Sequence, residues 1–558
     1  METMSFERDV DVLCVGSGAG GMSAAITAAE AGLRTLVVEK DDKAGGVQAL
    51  SSGQIWLGAT HLQSRLGIGE PREEFAGYLD CLSQGLALPA MRDMFIDRGN
   101  DALRFLNERI GIPFMIVRGL PDYFYPRVRG SRAEGRYIEV EPFSGRTLGE
   151  WAAKCGCSPY GAGYSYTTSS EWVAMQVSNG RFIGDCLRDH LAADERCAGA
   201  GLAAWLLKAA LERGVEVLLE SPATELTYRD GRVTGAIIAT PRGAARVRAR
   251  RGVVLATSGY DWNPDLVRAF EALPEAGSMC PPTVEGDHLK LAAAAGVIAI
   301  AARAPAQTPI FVGYRVPSET VHGRLSHRML LPGHPHSMIV NAQGKRFCDD
   351  GFYPDVAVKV ARFDGVAAGM PNWPAWLIFD DDFRAKYGLL PAYPGQPLPT
   401  GVAEEAADLD ALSQRVGLDS DGLRTTVARF NEFAAAGVDL DFGRGTVPWG
   451  RIMTGDPRRT SNWNLGPIER PPFYAVKLER VVMGVPTAGL PIDTHARVRD
   501  ARGAPVAGLY AAGNSAAWTD IGGGYNSGIA NMRGLLQGYV AARHMAVAEN
   551  ASNSALTD

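Results

Sequence analysis

The chain has 558 residues, 46% of them hydrophobic and 21% charged, with a net charge of −6. At ~150 residues per domain that length holds three to four domain-sized units, and the composition buries a large core. It excludes a disordered tail protein, a coiled coil, a small disulfide scaffold and a general nucleic-acid binder. Glycine is the outlier at 65 residues, about 12% of the chain, against a usual share near ~7%. With no collagen-like period, those glycines are expected in tight turns and where backbone approaches a bound group. Eight scattered cysteines (Cys14, Cys81, Cys155, Cys157, Cys186, Cys197, Cys280, Cys348) are too sparse for a disulfide framework, so we expect reduced thiols and a cytoplasmic protein. No secretory leader is read at residues 1–10, which carry three acidic residues and no apolar stretch. The longest apolar run, Leu291 to Ala302, is closed by Lys290 and Arg303. It is short of the ~20 residues a membrane helix needs, and predicts a buried helix end leading into a strand.

In chain order, residues 10–15 (V-D-V-L-C-V) read as a buried parallel strand. Gly16-Ser17-Gly18-Ala19-Gly20-Gly21 follows, then an alanine-rich helix to about Ala31 that Gly32 ends, then a strand Thr35 to Val38 closing on Glu39. This is a strand–GxGxxG–helix–strand–acid unit. Gly16 makes the tight turn, Gly18 lets backbone reach a pyrophosphate, and Gly21 allows close helix–strand packing. The helix start offers N–H groups to phosphates, and Glu39 would accept hydrogen bonds from a ribose hydroxyl. Lys40 to Gln54 is a second glycine- and serine-rich loop directly after the acid. A flavin enzyme needs such a loop to wrap its ring; a nicotinamide enzyme rarely does.

Residues 61–200 read as mostly helical, with a loop-rich aromatic stretch from Pro121 to Tyr166. Val215 to Leu219 and a hairpin at Arg229-Asp230-Gly231-Arg232 predict an antiparallel ribbon. Arg251 to Tyr260 reads as a buried strand ending in a small-residue turn. Gly508 to Asn514 is another strand ending in glycine, and Gly522 to Gly528 opens a helix running to about His544. Residues 551–558 read as frayed. The order of pieces predicts an α/β protein: a Rossmann-like nucleotide domain, discontinuous over 1–300 and 471–558, with an inserted α+β substrate domain at 301–470. The cleft between the two is the expected substrate site.

The chain resembles the fumarate-reductase and 3-ketosteroid-dehydrogenase superfamily of FAD flavoproteins. The matching pieces are Asp11 to Gly21, Val38-Glu39-Lys40, Val253 to Gly259, Ile339-Val340-Asn341 with Gly344-Lys345-Arg346-Phe347, Pro491-Ile492-Asp493 and Gly508 to Asn514. Fumarate-reductase-like members place an arginine about seven residues after G-K-R-F. Here the run is Phe347-Cys348-Asp349-Asp350-Gly351-Phe352-Tyr353-Pro354, and the nearest following arginine is Arg362. Tyr353 falls within one residue of the catalytic tyrosine of ketosteroid 1-dehydrogenases. Pro121-Asp122-Tyr123-Phe124-Tyr125-Pro126 is similar to that group's P-D-Y-Y region, where a tyrosine assists the base. Tyr525 and Gly528 resemble the tyrosine and glycine that hold the ketone oxygen. The 1-dehydrogenases read Y-x-G-P-G after that tyrosine, whereas Tyr525-Asn526-Ser527-Gly528 is closer to the Y-x-S-G of ketosteroid 4-dehydrogenases.

The resemblance implies α,β-desaturation of a cyclic ketone of cyclohexanone or 3-ketosteroid type. The base removes an α proton, and Tyr353 is the expected base. Tyr123 or Tyr125 would share its charge. Two donors, the Tyr525 hydroxyl and the Gly528 N–H, would stabilise the carbonyl oxygen. The expected FAD contacts are Gly16, Gly18, Ala19, Gly20, Gly21, Glu39, Lys40, Gly45, Gly46, Ser52, Gly53, Ala223, Thr257, Gly259, Gly513, Asn514, Ser527 and Ile529. Attachment is expected to be non-covalent, because apart from Cys14 no histidine or cysteine stands in those loops. Re-oxidation needs an acceptor: oxygen, a quinone or an electron carrier. Tyr160, Tyr164 and Tyr166 line a substrate mouth or merely pack. His334 and His336 form H-x-H without the spacing of a metal site, and no metal is expected. The alternatives are an ene-reductase of an unsaturated ketone or acid, and a non-catalytic electron-transfer flavoprotein.

Overall fold

The computed structural model describes residues 6–178, 183–302 and 311–547. The predicted fraying at 551–558 lies outside them. The fold mixes helix and strand, and its largest sheet joins the two ends of the chain. Phe6–Val15 pairs in parallel with Thr35–Val38 on one side and Gly243–Leu255 on the other. Glu216–Leu218 extends one edge, and Pro505–Ala511 lies parallel to Gly243–Leu255 on the other side. Residues 12–15 and 36–38 read as unbroken apolar runs because both faces of their strands are buried. The expected hairpin is present: Ala223–Arg229 pairs with Arg232–Thr240, which then pairs with the first half of Gly243–Leu255.

The first helix, Ala19–Glu30, ends as its sequence requires. Gly32 takes a φ of +81°, and the Leu33 N–H donates to the Ala28 carbonyl. The last helix, Ile529–Val547, crosses it at close range. A Cβ on Gly538 would stand 2.3 Å from the Gly20 carbonyl oxygen, and one on Gly534 3.1 Å from the Gly20 nitrogen. Glycines four residues apart on one helix face are what bring the two backbones together.

A second, antiparallel sheet has the order Ser337–Asn341, Ala375–Asp380, Phe473–Lys477, Glu404–Ala406. Alternation sorts its faces. Met338, Val340 and Ile378 pack on the helix Ser420–Ala436 through Leu423, Val427 and Phe430. Ile339, Leu377 and Phe379 pack on the other side with Val356, Val360 and Phe383. A third sheet runs Gly277–Ser278, Glu479–Val482, Phe311–Val321, Arg324–Met329. The expected boundary at 470/471 thus falls just before two strands, Phe473–Lys477 and Glu479–Val482, whose partners include segments from within 301–470.

The described part of 61–200 is mostly helical, as expected, but Phe114–Ile116 and Tyr137–Val140 join Ile55–Trp56 in a small sheet the sequence reading lacked. The apolar run at 291–302 continues the helix Asp287–Ala293 and closes in the short strand Ile300–Ala301. Among the described residues no helix is long and apolar enough to cross a membrane. Among the described residues no disulfide joins any of the eight cysteines.

Candidate active site

A cleft with a cavity volume of about 360 Å³, partly open to solvent, runs from the glycine turn at 16–20 to a cluster of aromatic rings. That size falls within the ~300–1000 Å³ of ordinary small-molecule sites.

At the turn, Gly16 has a φ of +104°, and a Cβ there would stand 2.3 Å from the Ala256 carbonyl oxygen. Gly21 is equally confined, its Cβ position 1.9 Å from the Gly16 oxygen. Gly18 differs: the nearest heavy atom to its Cβ position is 3.9 Å away, and it caps the first helix without a side-chain cap. Open space over uncapped helical N–H groups is a cradle for phosphate. Glu39 lines the cleft with most of its acceptor capacity spent. It takes hydrogen bonds from the Ser17 N–H (2.9 Å), the Ser17 hydroxyl (2.6 Å) and the Asp41 N–H (3.0 Å). With about four acceptor positions on a carboxylate, one remains for a ribose hydroxyl. Further along the wall, the buried Gln48 Oε1 and Asn514 Oδ1 have no partner among the described residues. Orphaned acceptors beside a glycine cradle fit a large polar cofactor such as FAD.

Of the expected FAD contacts, Gly16, Gly18, Ala19, Gly20, Glu39, Lys40, Gly46, Ser52, Ala223, Thr257, Gly513, Asn514 and Ser527 line the cleft. Gly21, Gly45, Gly53, Gly259 and Ile529 are outside its wall. Gly45 packs on Ala203 and Ala49, and Gly53 on the Ala198 backbone, so these glycines shape the loop from behind. Lys40 points its Nζ to Glu285 (2.6 Å) and Asp287 (2.9 Å).

At the other end, segments far apart in sequence bring their tyrosines together. Tyr353 opens the helix Tyr353–Val360, where Pro354 fits the first turn. Its hydroxyl donates to the Tyr123 hydroxyl at 3.0 Å, and its ring stacks on Phe311 at 4.7 Å. The Tyr123 ring lies 4.4 Å from Trp449 and 6.1 Å from Tyr525. Gly528 has a φ of +93° and stands where a Cβ would come within 2.8 Å of the Trp56 nitrogen, so only glycine fits. Tyr123, Tyr353, Tyr525 and Gly528 all line the cleft; Tyr125 does not. Tyr123 therefore partners Tyr353. Of Tyr160, Tyr164 and Tyr166, Tyr164 reaches the wall.

Burial raises the pKa of both hydroxyls. Tyr353 is pushed well above its ordinary value by desolvation, then by the neighbouring Tyr123 and Tyr525. Tyr123 is raised by desolvation and by Tyr525, and pulled back by hydrogen bonds with Tyr353 and Ser527.

Sequence reasoning missed Asn526, Trp449 and Phe311. The Asn526 side chain is fully buried, and its Oδ1 accepts the Tyr123 backbone N–H at 2.9 Å. It ties the Tyr123 loop to the loop carrying Tyr525 and Gly528. Its place between Tyr525 and Ser527 was the available signal. Trp449 and Phe311 carried none, since they arrive by tertiary packing.

The chain matches the FAD binding domain family over residues 11–531. It is 33% identical over 548 residues to 4-oxocyclohexanecarboxylate 2-dehydrogenase of Sinomonas cyclohexanicum, covering 96% of this chain and 92% of that one. It is 32% identical over 572 residues to 3-oxosteroid 1-dehydrogenase of Mycobacterium tuberculosis (strain ATCC 25618 / H37Rv), covering 97% and 98%. Among solved structures, 3-ketosteroid delta1-dehydrogenase from Sterolibacterium denitrificans in complex with 1,4-androstadiene-3,17-dione superposes with a TM-score of 0.86 at 28% identity, covering 97% of this chain and 100% of that one. The chain belongs to the FAD binding domain family, as a flavoprotein homologous to the 3-oxosteroid 1-dehydrogenases and 4-oxocyclohexanecarboxylate 2-dehydrogenase.

Proposed function

We propose that the protein is an FAD-dependent dehydrogenase that desaturates a cyclic ketone, of cyclohexanone or 3-ketosteroid type, at its α,β bond. The observation that carries this reading is the Tyr353–Tyr123 hydroxyl pair, 3.0 Å apart on the cleft wall, with Tyr525 and Gly528 on the same wall. Tyr353 takes the α proton. Tyr123, hydrogen-bonded to it, shares the charge that develops. The Tyr525 hydroxyl and the Gly528 N–H donate to the carbonyl oxygen, and one such donor is worth about 10²–10³ in rate. FAD, when bound, supplies the hydride acceptor. The turn at 16–20, Glu39, Gln48, Thr257 and Asn514 would hold it non-covalently. The phenyl rings of Phe311 and Phe352 and the indole of Trp449 fix the tyrosines and exclude water.

We further infer a discontinuous, Rossmann-like FAD-binding body built from both ends of the chain. The unit inserted in it extends past residue 470 to include Phe473–Lys477 and Glu479–Val482. The parallel pairing of Phe6–Val15, Gly243–Leu255 and Pro505–Ala511 supports that division. Cysteines without disulfides among the described residues support a cytoplasmic location. The electron acceptor is oxygen, a quinone or a carrier.

The test is anaerobic mixing of the yellow protein with cyclohexanone, a saturated 3-ketosteroid, 4-androstene-3,17-dione and fumarate. Bleaching by a ketone with enone formed is expected. Oxidation of the chemically reduced protein by an enone or fumarate, with no ketone bleaching it, would instead make it an ene-reductase. No response to any of them would favour an electron-transfer role.

A further inference from the structure

The wall around Tyr353 carries no ionic group among the described residues. The Tyr353 ring packs on Phe311 and Trp449, and Leu331, Met279, Met329 and Met453 line the same cleft. Among the described residues three charged side chains line the cleft: Glu39, Lys40 and Asp287. Glu39 belongs to the glycine turn through Ser17, and Lys40 is neutralised by Glu285 and Asp287. Arg328 lies behind the wall, over the Tyr160 ring, and its guanidinium is engaged by Glu319 at 2.6 Å.

A carboxylate moved from water into such a wall loses its hydration and, among the described residues, meets no cation to pair with. One homologue is named for a substrate with that group, 4-oxocyclohexanecarboxylate. We propose that this protein selects its substrate by charge: it takes neutral ring ketones and rejects ring ketones that carry a carboxylate. The proposal rests on the ketone-dehydrogenase reading above. Methionine-rich lining adds tolerance of ring size, because unbranched thioether chains repack around different apolar shapes. Charge, more than bulk, is then what the site discriminates.

The experiment compares 4-oxocyclohexanecarboxylate with its methyl ester, which share ring and ketone and differ in charge. Binding of each is measured by equilibrium dialysis against Tyr353→Phe holoenzyme, which retains the wall while slowing turnover. Enone formation is measured with the unmodified holoenzyme. The expected result is at least a tenfold tighter binding of the ester, and a kcat/KM ratio in the same direction. Binding of the acid within tenfold of the ester, or tighter, overturns charge selection. If the ester binds tighter but neither compound yields enone, charge selection stands and the dehydrogenase reading falls. If the acid binds as well as the ester and both yield enone, the dehydrogenase reading stands and charge selection falls.

Discussion

A hydroxyl that must act as a base is most effective when its proton leaves easily, yet Tyr353 is buried on the cleft wall and its pKa is raised. The rate should therefore climb as pH rises, because the deprotonated form grows tenfold per pH unit below the pKa. Measured kcat for ketone desaturation is expected to increase steadily from pH 6 to pH 9. Tyr353→Phe should lower kcat by about 10²–10⁴ while FAD stays bound. Tyr125→Phe should leave kcat near that of the unmodified protein, since Tyr125 is off the wall. Asn526→Ala removes the tie between the Tyr123 loop and the Tyr525–Gly528 loop. Misplacing reacting groups by ~1 Å costs up to about 10² in rate, so kcat should fall with little change in KM. Equal losses in binding and turnover would mean that Asn526 only supports the fold. The sequence offered Tyr123 and Tyr125 as equals, two residues apart in one loop. What separates them is which hydroxyl meets Tyr353, a contact across 230 positions that no local pattern encodes.

Among elements, the glycine turn and the last helix carry different demands. Gly16→Ala sets a methyl group against the Ala256 carbonyl at a φ that disfavours alanine, so it should lower Tm. Gly18→Ala meets almost nothing in the protein and should fold normally, but its methyl group projects where phosphate would lie. Purified Gly18→Ala is expected with a near-normal Tm and little bound FAD, read from the absorbance ratio of flavin to protein. Gly538→Leu should separate the last helix from the first and lose both Tm and flavin. The turn and its flanking strands were legible because glycine spacing and apolar runs are local. The Gly534–Gly538 crossing was not read: its meaning depends on a partner helix some 500 residues away. The small sheet at Ile55–Trp56 also escaped, since strands of two to four residues leave too little alternation to stand out among helices.

For the whole molecule, buried tyrosines and thiols set an alkaline limit. Tyr353, Tyr123, Tyr137 and Tyr314 are all raised from 10.0, Cys14 is pushed from 9.0 to about 12 and Cys155 to about 11, each first by burial. Their folded pKa values exceed the unfolded ones, so their contribution is complete below about pH 9 and is lost as pH rises toward the folded values. Tm is expected to be level between pH 7.5 and 8.5 and to fall between pH 9.5 and 10.5. A flat profile to pH 10.5 would contradict the burial of these groups. Division of labour between sheets was legible in outline, because buried parallel strands and glycine-ended strands recur at both ends of the chain. The pairing of Phe473–Lys477 with Ala375–Asp380 was not, because the run reads as any apolar strand until its neighbours are known.

The sheet that joins Phe6–Val15 to Pro505–Ala511 also ties cofactor capture to the clock of translation. Gly18 is translated about 500 residues before Gly513, Asn514 and Ser527 on the same wall. At ~5–20 residues per second, the nascent glycine turn waits roughly half a minute to two minutes for the rest of its pocket. A ribosome that stops short releases a chain lacking that half of the wall. Bound flavin colour in a cell extract would then report finished chains alone, with truncated ones left pale for the proteases.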